Sequence, residues 1–287
     1  MRKCWLDNKT CVITGASSGI GRYLSKILIE KHNCHIIGVG RSKEKMENFV
    51  LELKDKKDNF EYKLFDVSIE KNWIDFAKFC SNKNIDVLIN NAGVLPPFSS
   101  ISKIIENNKN LDNVIDNKDL IGKQFESIMQ TNFMSVVYGT TYLMPMIEKS
   151  TYSAIINIAS SSGLCALAGT SIYSASKAAV KNFTECLASE KKYYVGLVCP
   201  GFTKTEIFRN QTNLIDSKLI DFFSSSLEAM GKKIYRGIKK RKKRMVYGID
   251  AKAMDFVARH YPSIAPRLFS NILKKSKIKL FKDVFED

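Results

Sequence analysis

A chain of 287 residues, 45% of them hydrophobic, is long enough to bury a substantial core, yet no stretch reaches the ~20 uninterrupted apolar residues of a membrane-crossing helix. Its seven cysteines include no Cys-x-x-Cys pair and its three histidines share no ligand spacing, which argues against a disulfide framework and a structural metal. The formal charge of +16 is locally concentrated, since nine of the thirteen residues 232–244 are Lys or Arg and none is acidic; such a block is either a solvated helix face or a surface for an acidic partner. No apolar run of signal-peptide length follows the N-terminus, so the expected location is cytoplasmic.

The first predicted strand, residues 10–14, runs into TGASSGIG at 14–21. There Gly15, Gly19 and Gly21 form a turn that opens a helix. Glycine lets the backbone approach a pyrophosphate, and a helix start offers unpaired N–H groups; alone, such a turn can equally be structural. A second strand, 35–39, ends in Gly40, Arg41 and Ser42. In doubly wound folds this strand end meets the adenosine ribose, where an acidic residue would bind the 2′-hydroxyl. A guanidinium beside a hydroxyl suits a 2′-phosphate instead.

The third strand, 60–65, leads to Asp66 and Val67, and the fourth, 86–90, to NNAG at 90–93. Residues 99–119, rich in Ile, Lys, Asn and Asp, read as an inserted loop ahead of a helix. The apolar helix 133–147 reads as core or as a helix-pairing surface. The fifth strand, 154–158, precedes IASSSG with Ser160, and YSASK then sets Tyr173 and Lys177 four apart, on one helix face. An ammonium beside a phenol favours its ionised form, so the Tyr173 pKa is expected to fall from ~10, giving an acid/base for carbonyl/alcohol interconversion. The sixth strand, 195–199, leads to PGFTKT with Pro200, Gly201 and Thr203. Residues 202–230 offer Phe202, Phe208, Leu219, Phe223 and Met230 with few charges, and read as a lid over an apolar substrate or as ordinary packing. A weaker strand follows at 244–247.

Short β-branched runs alternating with helical stretches imply βαβ crossovers. The expected fold class is α/β: a Rossmann-like doubly wound parallel sheet of about seven strands, in a single domain over residues 1–287. Within it, 99–119 is the insertion and 202–287 the substrate-lid and C-terminal region.

Together and in this order, TGASSGIG, NNAG, IASSSG, YSASK and PGFTKT resemble the classical short-chain dehydrogenase/reductase family, from about residue 9 to residue 205. The resemblance implies that Tyr173 is the catalytic acid/base and that Lys177 binds the nicotinamide ribose and depresses the tyrosine pKa. It implies that Ser160 bonds the substrate oxygen, and that Asn132, in QTNFMSVVYGT, supports a water-linked proton relay. Gly15, Ser17, Ser18 and Ile20 would surround the pyrophosphate, with Gly19 and Gly21 in the same turn. Asp66 and Val67 would meet the adenine and Asn91 the adenosine-side ribose, beside Gly93. Pro200, Gly201 and Thr203 would face the carboxamide. Arg41, next to Ser42, resembles the basic residue of members that favour NADP(H) over NAD(H).

The implied protein is an NADP(H)-dependent oxidoreductase acting on a small-molecule carbonyl or alcohol, working as a homodimer or homotetramer. Two other readings stand beside it. A non-catalytic NADP(H)-binding sensor or scaffold is opposed by the presence of both Tyr173 and Lys177. A basic surface-binding protein using 232–244 has no accompanying RNA platform or DNA-binding motif to read a specific nucleic acid, although peripheral membrane contact is compatible with it.

Overall fold

The computed structural model describes residues 4–109, 118–204, 224–276 and 282–285. Its strands are β1 (Thr10–Thr14), β2 (His35–Gly40), β3 (Phe60–Leu64), β4 (Val87–Asn90), β5 (Ala154–Ile158), β6 (Tyr194–Pro200), the short β7 (Thr203–Lys204) and β8 (Ser225–Ser226), and β9 (Arg244–Tyr247). Seven of them form one sheet in the order β3-β2-β1-β4-β5-β6-β9, while β7 and β8 pair separately. Every pairing in the large sheet is parallel.

The reason these runs are strands is visible in their burial. All five residues of β5 and all seven of β6 are buried, as expected of parallel strands with helices on both faces. Alternate residues serve opposite layers. Cys11 and Ile13 join Ala154, Ile156 and Ile158 in one core, while Val12 and Ile155 join Trp73, Leu143 and Ile147 in the other.

Helices α1 (Gly19–His32) and α2 (Lys43–Glu52) follow β1 and β2, and α3 (Glu70–Cys80) follows β3. Beyond β4 come α4 (Ile101–Lys109), α5 (Lys118–Met129) and α6 (Ser135–Ile147); beyond β5 comes α7 (Ser171–Glu190). The C-terminal region supplies α8 (Leu227–Lys239), α9 (Ile249–His260), α10 (Ala265–Ser276) and α11 (Lys282–Phe285). The edge strand β9 is tied to α9 by Arg244, whose two terminal nitrogens donate to Asp255 at 2.8 and 2.7 Å.

Three expectations need correction or restriction. Residues 101–109 are a helix, not a loop: Ile101, Ile104 and Ile105 have i, i+3, i+4 spacing, and the Ser100 hydroxyl accepts from the Lys103 N–H at 3.1 Å. Met230 is fully buried in the core layer with Leu24, Leu28 and Ile234, so it is not a lid residue. Residues 205–223 of the expected lid, with Phe208, Leu219 and Phe223, lie outside the described residues. The basic block is the outer face of α8 and the turn after it: Lys232, Lys233, Arg236 and Lys239 are exposed while Ile234, Tyr235 and Ile238 are buried.

The chain begins at the sheet centre, winds outward to β3, and returns to lay β4 against the free edge of β1. That reversal opens a crevice at the carboxyl ends of β1 and β4, where ligands of such sheets bind.

Candidate active site

A cavity of about 310 Å³ lies in this crevice. Its walls include Gly15, Ser18, Gly19 and Ile20 from the first turn, Asn91 and Gly93 after β4, Ser160 after β5, Tyr173 and Lys177 from α7, and Pro200, Gly201 and Thr203 after β6. Five separate stretches of sequence therefore converge on one space. Leu95, Phe98 and Phe202 line it as well, and of these only Phe202 is expected from the sequence.

Close backbone approach shapes the first wall. Gly15 has φ +68°, and a Cβ there would stand 2.8 Å from Asn91 Nδ2, so a side chain is excluded by both conformation and space. A Cβ at Gly21 would overlap the Gly15 carbonyl oxygen. Ser18 is the N-cap of α1 without a side-chain cap bond, leaving its hydroxyl and the first-turn N–H groups available to an anion.

Thr14, the first residue of TGASSGIG, organises the second wall. Its hydroxyl accepts from the backbone N–H of Asn91 and of Ala92, each at 2.9 Å, and its carbonyl accepts from Asn91 Nδ2 at 2.9 Å. Below it, Asn90 Nδ2 donates to Asn157 Oδ1 at 2.8 Å, and Asn157 Nδ2 donates to Thr184 at 2.9 Å. These buried amides cross-link β4, β5 and α7 just beneath the cavity. A polar residue interrupting the apolar runs VLIN and AIINI was the available signal.

Asn132 sits in a π-helical turn, Gln130–Met134, between α5 and α6, the kind of helix irregularity that recurs at functional sites. It is fully buried. Its Oδ1 accepts from the Val94 N–H at 2.7 Å, while Nδ2 donates to the Val94 carbonyl at 3.0 Å and to Ser176 Oγ at 3.1 Å. Ser176 Oγ in turn donates to the Tyr173 carbonyl at 2.7 Å. Asn132 thus clamps the loop after β4 to α7. Gly93 is wedged beside it, since a Cβ would lie 3.1 Å from Asn132 Oδ1 and 3.2 Å from Lys177 Nζ.

The electrostatics of the pair on α7 differ from the sequence expectation. Burial raises the Tyr173 phenol above its ordinary range, and a hydrogen bond with Ser160 pulls it back only in part. Lys177 Nζ is 6.0 Å from the Tyr173 ring centroid and donates to the Ile158 carbonyl at 3.2 Å. Burial brings its own pKa down to about 8. Spacing placed both groups on one face, but the ammonium is desolvated and aimed at a carbonyl, so it does not depress the phenol here.

The remaining expected residues lie outside the cavity wall. Arg41 is largely exposed and stands 3.5 Å from Asp66 Oδ2. Ser42 caps α2 by accepting from the Lys45 N–H at 3.3 Å. Ser17 lies under Gly40, where a Cβ would meet its hydroxyl at 3.3 Å. Asp66 accepts from the Ser68 N–H and hydroxyl, and buried Val67 accepts the Trp73 indole N–H at 2.8 Å. These residues line the ends of β2 and β3, the adenosine end of the crevice in a fold of this kind.

An apolar wall completes the other end. Leu95, Phe98 and Tyr173 form a cluster against which Phe202, Leu273, Val284 and Phe285 pack. Nothing in the local sequence near Tyr173 announces these C-terminal partners. The fold also groups Cys4, Asp7 and His32, whose ligand-type atoms lie within 4.8 Å of one another, although no spacing had linked them. Both ring nitrogens of His32 are engaged, with Asp7 at 2.6 Å and Tyr235 at 2.9 Å.

Comparison with known proteins agrees with this geometry. Residues 9–214 match the family model for short chain dehydrogenases. SadH of Mycobacterium tuberculosis, named as an oxidoreductase, is 32% identical over 281 residues, covering 91% of this chain and 94% of that protein. Benzil reductase ((S)-benzoin forming) of Saccharomyces cerevisiae is 29% identical over 206 residues, 69% of this chain and 73% of its own. A short-chain dehydrogenase from Sphingobium yanoikuyae, solved in complex with NADPH, superposes with a TM-score of 0.68 at 21% identity, covering 97% of both chains. The chain belongs to the short chain dehydrogenase family and is an oxidoreductase.

Proposed function

We propose that this protein is an NADP(H)-dependent oxidoreductase that interconverts an apolar carbonyl compound and its alcohol, with Tyr173 donating and accepting the proton. The observation that carries the reading is that Ser160, Tyr173 and Lys177 line one cavity together with the glycine turn.

The residues fit a dinucleotide. The turn at Gly15 and Gly21 has no room for side chains, and the uncapped start of α1 suits a pyrophosphate. Gly15, Ser17, Ser18, Gly19, Ile20 and Gly21 would hold that group, Arg41, Ser42, Asp66 and Val67 the adenosine end, and Asn91, Gly93, Pro200, Gly201 and Thr203 the remainder. When bound, the nicotinamide nucleotide supplies or accepts the hydride.

The protein's own groups do the rest. Ser160 and Tyr173 hydrogen-bond the substrate oxygen and fix it against the cavity wall. In reduction Tyr173 gives its proton to that oxygen as negative charge develops there. Lys177, with a pKa of about 8, is mainly protonated at neutral pH and would hold the nicotinamide ribose from its place on the cavity wall. Asn132 holds α7 in place through Ser176 and Val94.

The cluster of Leu95, Phe98, Phe202, Leu273, Val284 and Phe285 supports an apolar substrate, since burying sugar hydroxyls there would leave them unpaired. The name of the yeast relative, benzil reductase, points the same way. In this reading the chain acts as one domain, in the cytoplasm, as a homodimer or homotetramer. A panel of ketones, aldehydes and alcohols assayed with NADPH, NADP⁺, NADH and NAD⁺ tests it. Activity confined to sugars or small hydroxy acids would remove the apolar-substrate reading.

Arg41 carries the cofactor preference. Among the described residues its exposed guanidinium is held by Asp66 alone, at 3.5 Å, so a 2′-phosphate can recruit it. Arg41→Ala should weaken NADPH binding by ~1.5–3 kcal/mol, about ten- to a hundredfold, as for a charge-assisted contact. NADH affinity should move by no more than a few-fold. Fluorescence titration measures both, and equal wild-type affinity for NADPH and NADH would refute the preference.

A further inference from the structure

The outward faces of α9 and α10 carry a property the reaction does not use. Of the twelve large hydrophobic side chains exposed among the described residues, six lie on or between these helices: Ile249, Phe256, Tyr261, Ile264, Leu268 and Ile272. Ile249 and Phe256 are seven apart on α9, while Ile264, Leu268 and Ile272 recur every fourth residue into and along α10. Either spacing aligns side chains on one helix face. The inward faces are already used, with Met254, Ala265, Phe269 and Leu273 packed in the cluster around Cys165 and Leu167.

Between the exposed apolar residues stand Lys252, Arg259, Arg267, Lys274 and Lys275, all exposed. The two carboxylates of this region are withdrawn. Asp255 binds Arg244 and Arg259, and Asp250 is turned inward to accept the Phe202 N–H at 2.7 Å. Residues 249–275 therefore present apolar and cationic groups to solvent with no exposed carboxylate.

We propose that this face docks the protein on an anionic lipid bilayer, its apolar side chains entering the boundary of headgroups and acyl chains and its cations meeting lipid phosphate. Two observations favour lipid over another protein. Protein interface cores are depleted in charge, whereas here cations alternate with the apolar residues throughout. A second copy meeting the same face about a two-fold axis would bring further cations and no exposed carboxylate to pair with them. The Lys/Arg block of α8 is a weaker anchor, because Ile234 and Ile238 are buried and leave nothing apolar to insert.

The test uses the full chain with vesicles of phosphatidylcholine alone and of phosphatidylcholine mixed with phosphatidylglycerol, read by flotation. The expected result is binding to the anionic vesicles only, weakening as salt rises. Combining Leu268→Ser with Ile272→Ser should reduce that binding at least tenfold, and so should combining Arg267→Glu with Lys275→Glu. Both pairs are surface changes, and unchanged circular dichroism and NADPH affinity will show that the fold is intact. Absence of vesicle binding, equal binding by wild type and both variants, or a wild-type dimer that the serine pair dissociates without any lipid binding would each overturn the proposal.

Discussion

Tyr173→Phe should lower turnover at least ~100-fold, the scale of general acid catalysis, while leaving folding and NADPH affinity within a few-fold of wild type. Phenylalanine keeps the ring in its cluster with Leu95 and Phe98 and removes only the hydroxyl. Ser160 keeps the backbone N–H of Ser162, which it accepts at 3.2 Å, so the substrate oxygen retains one donor but loses its proton source. The buried phenol titrates above its ordinary range, so it stays protonated through neutral pH without cofactor. Reduction should therefore hold up across neutral pH and fall on the alkaline side, where Lys177 discharges at about 8. Turnover by Tyr173→Phe within a few-fold of wild type, on a substrate found in the panel, would sink the assignment.

Lys177→Met should act in opposite directions on activity and stability. Turnover should fall ~100-fold or more, because the nucleotide ribose loses its only cationic partner among the residues lining the cavity. Stability without cofactor should rise. Lys177 has a pKa of about 8 in the fold against an ordinary 10.5, a gap worth about 3 kcal/mol at ~1.4 kcal/mol per pH unit. Between those values the unfolded chain binds more protons, so stability climbs with pH through the window. Below about 8 the fold carries the full cost of a buried charge. Methionine, similar in length, removes that cost and forfeits one bond to the Ile158 carbonyl, leaving a net gain of ~1–2 kcal/mol at pH 7. Urea unfolding at pH 7 and near pH 10 measures it, and the advantage should shrink at the higher pH. A variant less stable than wild type at pH 7 would show that the burial cost has been misjudged.

The parts of this molecule that local sequence could reveal share a physical cause. A parallel strand covered on both faces must be apolar along nearly its whole length, so runs such as AIINI, interrupted only by Asn157, mark their own ends. Glycine turns and the Tyr173/Lys177 pair were equally legible, because close backbone approach and helix spacing leave short-range marks. What lay beyond reach was set by direction or by distance along the chain. Met230, readable as lid or as ordinary packing, lies in the core, since an apolar helix face does not say which neighbour it meets. The wall formed by Leu273, Val284 and Phe285 comes from residues remote from Tyr173. The Asn132 clamp on Val94 and Ser176 could be placed by resemblance, but its bonds needed coordinates. Helix 101–109 was obscured by its Asn and Lys content, which drew attention away from three isoleucines in helical register.

The position of β1 also sets the order in which the sheet can assemble. On one side β1 joins β2 through the nearby α1 crossover, with Cys11 opposite Ile36. On its other side Cys11 must await Val87, and the β4–β5 pairing that follows waits in turn for Ala154. Loop closure over such separations is slow. The nucleotide-binding half can therefore condense while its central strand still shows an apolar, unpaired edge. Until β4 arrives, TCVIT is a template that the same strand of a neighbouring chain can find first. The yield of folded protein is therefore expected to fall as chain concentration rises.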